Sequence, residues 1–176
     1  MRVSCVALTA IVLAGSPARA DDPTVVTADL GIGRPVQLRQ LLCYPDHASQ
    51  YRPALGLDIA YRFIDQLAAG VHAGGRTYPW EECGGNIPGA YQMYRGIATA
   101  LELGVVAQWS MNRFWAAGWL GVQDAGLDHG GRRFAYSFVG GVDAYVSASG
   151  HRIGASLELM PAPYAFVSLG IAYRYW

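Results

Sequence analysis

Residues 54–63, ALGLDIAYRF, put Leu55, Leu57, Ile59, Tyr61 and Phe63 on one parity and Gly56, Asp58, Ala60 and Arg62 on the other. Successive side chains of a β-strand point to opposite faces, so this segment reads as a strand with one wholly apolar face. The same two-residue period runs through Ala100–Trp109, where Leu101, Leu103, Val105, Ala107 and Trp109 oppose Ala100, Glu102, Gly104, Val106 and Gln108. It returns in residues 153–159, and at the end as Val167, Leu169, Ile171, Tyr173 and Tyr175 against Ser168, Gly170, Ala172 and Arg174. Val26–Arg34 fits, while Leu67–Arg76 and Phe134–Val146 fit less cleanly. Phe114–Gln123 is ambiguous, because Trp115 and Trp119 oppose Phe114, Leu120 and Val122. The period predicts an all-β chain of eight strands.

The first twenty residues stand apart. Met1 and Arg2 precede an apolar run, Val3 to Gly15, and Ala18-Arg19-Ala20 precede Asp21-Asp22. That is the layout of a secretory signal peptide, too short in its apolar part to span a bilayer as a helix. Residues 1–20 are therefore expected to be removed, leaving residues 21–176 as one domain. Apolar residues make up 52% of the chain, yet no later segment approaches the ~20 consecutive apolar residues of a membrane helix. With Arg2 and Arg19 gone, eleven arginines face thirteen acids, and there is no lysine. Such a balance gives no electrostatic footprint for nucleic acid.

Alternation alone also fits a soluble barrel or sandwich with its apolar face turned inward. Two features predict the reverse. The second parity is Gly, Ala and Ser with single charges, where a water-facing strand would carry many long polar side chains; small groups suit the inside of a narrow closed barrel. The aromatics also gather near strand ends, with Tyr61, Phe63, Trp109, Phe114, Tyr173, Tyr175 and Trp176 toward one rim. Tyr51, Tyr78, Trp80, Tyr91, Tyr94, Phe134, Tyr136 and Tyr164 lie toward the other. Two aromatic belts match the two interfaces of a bilayer. Connections alternate in length as well: tight turns at 63–67, 109–114 and 146–152, longer links at 35–52, 77–91 and 124–133, and a shorter "MPAP". Membrane barrels have this asymmetry of short inner turns and longer outer loops.

Taken with the cleavable leader, the "YRFIDQL" strand–turn–strand and the aromatic end, the chain resembles the small eight-stranded outer-membrane β-barrels of Gram-negative bacteria, the class of outer-membrane protein A and its OmpX and OmpW relatives. The resemblance implies an eight-stranded antiparallel transmembrane β-barrel in the bacterial outer membrane, surrounded by membrane lipid and lipopolysaccharide and present as a monomer. It implies a terminal signal read by the barrel-assembly machinery, carried here by Leu169, Ile171, Tyr173, Tyr175 and Trp176, the apolar series ending at Tyr175, one residue before the terminal Trp176. Their rings are expected at the lipid interface.

On the inward parity sit Asp29, Asp58, Arg62, His72, Glu102, Asp143, Glu158 and Arg174. Buried charges need partners, so these residues predict a polar network filling the lumen, with Arg62 and Arg174 bridging Glu102, Asp143 or Glu158. A proton or ion path, a narrow channel or a small-ligand carrier is the competing reading. Neither a cofactor nor a metal is expected: Cys43, His47 and Cys83 lack a fourth ligand and the close cysteine pairs of structural zinc. No enzyme is expected either, although small barrels of this class include lipid A-modifying enzymes. Asp46, His47 and Ser49 are loop neighbours rather than a triad, and His129 has no nearby nucleophile. Arg132 and Arg133 at the outer rim could hold lipopolysaccharide phosphates. The expected role is structural or interactive, through the outside loops.

Cys43 and Cys83 fall in the first two outside loops and enter an oxidising compartment, so they are expected to form a disulfide stabilising the fold by about 3–4 kcal/mol on the chain-entropy model. Mass spectrometry of protein taken unreduced from native membranes should find both sulfurs blocked; two free thiols would contradict the pairing.

Overall fold

The computed structural model describes residues 23–36, 51–84, 92–124, 132–162 and 165–176, with only the backbone of 79–84 and 92–98. The expected signal peptide and Cys43, with its proposed partner sulfur on Cys83, lie outside the described residues and side chains. Eight strands form one closed sheet: β1 (Thr24–Pro35), β2 (Arg52–Ile64), β3 (Leu67–Gly84), β4 (Gln92–Met111), β5 (Phe114–Asp124), β6 (Arg132–Val146), β7 (His151–Ala162) and β8 (Phe166–Tyr175). Every neighbouring pair is antiparallel, and β8 pairs with β1 from Val26↔Tyr175 to Pro35↔Phe166. Successive partners Thr24, Tyr61, Ala69, Ala107, Gly118, Phe138, Leu159 and Val167 lead once round the wall and return to β1 at Arg34, ten residues from the start. A stagger of this kind on eight strands tilts them by about 35–45° and leaves an interior just wide enough for side chains.

The orientation is the expected one. Leu103 is 61% exposed while its neighbour Glu102 is 4% exposed, and Leu30, Ile59, Val71, Leu157, Leu169 and Ile171 point outward in the same way. An apolar surface on every strand would be ruinous in water and is what hydrocarbon selects. The fold is an eight-stranded antiparallel transmembrane β-barrel. Trp115 and Trp119, ambiguous in sequence, face inward, and Phe114, Leu120 and Val122 meet the outside. Two of the tight turns rest on a left-handed residue, Asn112 (φ 56°) and Gly150 (φ 87°), conformations that Asn and Gly adopt most readily.

Part of one expected loop, residues 77–84, is instead strand. β3 and β4 are 18 and 20 residues long, and their ladder continues from Thr77↔Thr99 to Gly84↔Gln92. The pairing of β2 with β3 stops at Ala54↔Arg76, and that of β4 with β5 at Leu101↔Asp124. Past those points, among the described residues, the two strands pair only with each other. Pro79, which donates no backbone hydrogen bond, lies in a stretch of β3 that has β4 as its one neighbouring strand among the described residues, a place where proline is tolerated.

The narrow bore explains the inward glycines. A Cβ on Gly121 would strike the carbonyl oxygen of Leu103, and one on Gly104 that of Leu120. Gly121→Ala should therefore cost about 1–3 kcal/mol through overpacking. Gly140→Ala, where the nearest foreign atom is 3.9 Å away, should stay within about 0.5 kcal/mol. Urea unfolding from lipid vesicles measures both.

Candidate functional site

The inward faces of all eight strands meet in one chain of polar contacts. Thr27 Oγ1 (β1) donates to Gln108 Oε1 (β4) at 3.3 Å, and Gln108 Nε2 donates to Asp58 Oδ2 (β2) at 2.6 Å. Asp58 Oδ1 is 2.7 Å from His72 Nδ1 (β3), and His72 Nε2 stands 3.8 Å from Glu102 Oε2 (β4). Arg76 Nη2 (β3) donates to Glu102 at 2.7 Å and across the bore to Glu158 (β7) at 2.9 Å. Gln123 Nε2 (β5) donates to Glu102 at 2.7 Å, and Ser137 (β6) and Ser168 (β8) donate to Glu158 at 2.7 and 3.2 Å. Charge-assisted bonds of this kind offset the desolvation that a lone buried carboxylate could not bear.

A second cluster lies toward the short turns. Arg174 Nη1 donates to Asp143 Oδ2 at 3.1 Å, and Arg152 approaches the same oxygen at 3.4 Å. The Arg174 guanidinium lies between two indoles, 4.7 Å from the Trp115 ring centre and 5.1 Å from that of Trp176. Gly141 makes room for Trp115, since a Cβ there would fall 2.5 Å from the indole. Toward the long connections, Tyr78 and Phe166 meet edge to face at 5.7 Å, with Met160 fully buried beside them. Gln123 Nε2 reaches the Tyr78 hydroxyl at 3.2 Å, tying this apolar layer to the polar one.

Of the residues expected in the lumen, the structure brings Asp58, Glu102 and Glu158 together and pairs Asp143 with Arg174. The cation that joins Glu102 to Glu158 is Arg76, a residue outside the expected set, while Arg62 is half-buried near the short-turn end of β2 with its backbone N–H bonded to Pro23. Arg76, Gln108, Gln123 and Arg152 were missed. The signal existed, because Arg76 shares the parity of His72, but Ala69, Ala73 and Gly75 opposite it blur the apolar face.

The terminal rings also differ from expectation. Leu169 and Ile171 point outward, but Tyr175 is only 7% exposed. Its ring centre lies 5.3 Å from that of His151. Trp176 turns under the barrel, packs against Val25, Ala60 and Ala68, and donates Nε1–H to the Asp65 carbonyl at 3.2 Å. Both rings thus pack on the short-turn end of the barrel, Tyr175 on His151 and Trp176 on Val25, Ala60 and Ala68. Tyr78 likewise caps the bore instead of joining the outer belt.

No family model matches the chain, and neither does any curated protein. Among solved structures it is similar to Ail, the attachment invasion locus protein of Yersinia pestis, solved with the heparin analogue sucrose octasulfate: 13% identity, TM-score 0.47, covering 86% of this chain and 97% of that one. It is also similar to the de novo designed TMB2.3, solved by solution NMR: 11% identity, TM-score 0.43, covering 90% and 99%.

Arg76→Met would leave Glu102 and Glu158 buried without their shared cation. It should destabilise the barrel by about 3–5 kcal/mol, against about 1 kcal/mol for Ser168→Ala, read from urea midpoints in vesicles.

Proposed function

We propose that the protein is an integral outer-membrane barrel, monomeric and non-catalytic, with a sealed lumen and a role in surface interaction. The observation that carries this reading is the β3–β4 hairpin, whose strands, among the described residues, pair only with each other beyond Arg76 and Leu101. A free strand edge can take up an extended segment of another chain through main-chain hydrogen bonds. It lies on the side of the longer connections, which in membrane barrels is the outside. The crossing side chains of the lumen favour a rigid support over a pore, since eight strands leave no spare bore. Lipid and lipopolysaccharide surround the apolar wall, and the series Leu169, Ile171, Tyr173, Tyr175 and Trp176 serves the barrel-assembly machinery.

An epitope inserted between residues 87 and 88 should bind antibody on intact cells; access only after permeabilising the outer membrane would contradict the orientation. Replacing residues 79–97 by a tight turn should leave a barrel that still migrates anomalously until boiled, while attachment of the cells to protein-coated surfaces falls. Unchanged attachment would remove the interaction role from the hairpin.

A further inference from the structure

The geometry points to His72 as a charged latch: an imidazolium clamped between Asp58 and Glu102, whose deprotonation loosens the lumen and admits small cations. This rests on the sealed-lumen reading above and adds to it a group that opens the seal. At 2.7 Å from a carboxylate oxygen, Nδ1 must carry a proton. A neutral ring has only one N–H, so Nε2 would then turn a lone pair toward the Glu102 carboxylate 3.8 Å away. Nε2 is buried and has no hydrogen-bond partner among the described residues. As an imidazolium the ring donates toward both carboxylates, and its cation lies flat on the Trp119 indole, 4.4 Å between centres and 9° between planes. Both arrangements favour the charged ring.

The neighbours decide what the proton does. Facing His72 are Thr27 and Asp29 of β1, Asp58 of β2, Glu102 and Gln108 of β4, Trp119 of β5, Glu158 of β7, and Arg76 of its own strand. With the proton in place, imidazolium and guanidinium face the carboxylates of Asp58, Glu102 and Glu158. Without it, Arg76 is the one cation left among these groups, bonded to Glu102 and Glu158 but not to Asp58, and like charges in a medium of low dielectric repel strongly. The contacts that break are those joining β2, β3 and β4, the links of the polar chain nearest a cavity already lined by Asp29, Asp58 and Glu158. The walls so parted are acidic, so the opening favours cations.

Nitrogen NMR of the histidine-labelled protein in micelles at neutral pH should find both His72 nitrogens protonated, with one proton lost in alkaline buffer. A ring with a single proton at neutral pH overturns the latch and needs no variant. In planar bilayers the wild type should be silent at neutral pH and conduct cations in alkaline buffer, whereas His72→Gln, which keeps a hydrogen-bonding side chain without the charge, should conduct at both with the pH dependence lost. A silent wild type with an equally silent His72→Gln overturns the latch and leaves the seal intact. A wild type that conducts steadily at neutral pH overturns the seal itself.

Discussion

Hydrocarbon offers no partner to a backbone N–H or C=O, so a sheet that crosses it must leave no edge within it. The ladder between β1 and β8 meets that requirement, from Val26↔Tyr175 to Pro35↔Phe166. Closure then dictates the rest. Eight strands with this stagger give a bore one side-chain layer wide, which forces glycine wherever neighbouring backbones crowd inward, as at Gly104 and Gly121. It also inverts the usual distribution of polarity, with Leu103 and Ile171 outside and Glu102 and Arg174 within.

A bore so narrow and so charged could not rest on isolated ion pairs. Each carboxylate near the middle has more than one partner: Glu102 meets Arg76, Gln123 and His72, and Glu158 meets Arg76, Ser137 and Ser168. Because these partners come from different strands, the polar chain acts as a set of cross-struts inside a wall held only by its ladders. The indoles of Trp115 and Trp119 complete it by covering the Arg174 guanidinium and stacking on the His72 ring. Among the described residues, the β3–β4 hairpin that rises beyond its neighbours is therefore carried on a braced base.

What could be read from sequence follows the same physics. Lipid selects large apolar side chains at every second position, so the parity of β2, β4, β7 and β8 was legible from Leu57, Leu103, Leu157 and Leu169. The lumen's acids were legible because a charge on an otherwise small-residue parity has nowhere else to go. Trp115 and Trp119 were not, since an indole suits both a lipid interface and a buried cation. Nor were Tyr78, Phe166, Tyr175 and Trp176, because at the ends of a barrel the need to close the bore competes with the aromatic belt. The strand continuing past Arg76 was missed for a related reason: beyond the membrane the two-residue period of polarity no longer applies.

The inside-out polarity is tested most directly by methyl-labelled protein in lipid nanodiscs, through magnetisation transfer from the acyl chains. Methyls of Leu103, Leu169 and Ile171 should receive it strongly, while those of Val25 and Val106, buried at 1% and 3% exposure, should not. Transfer to Val106 with none to Leu103 would contradict the account at its root.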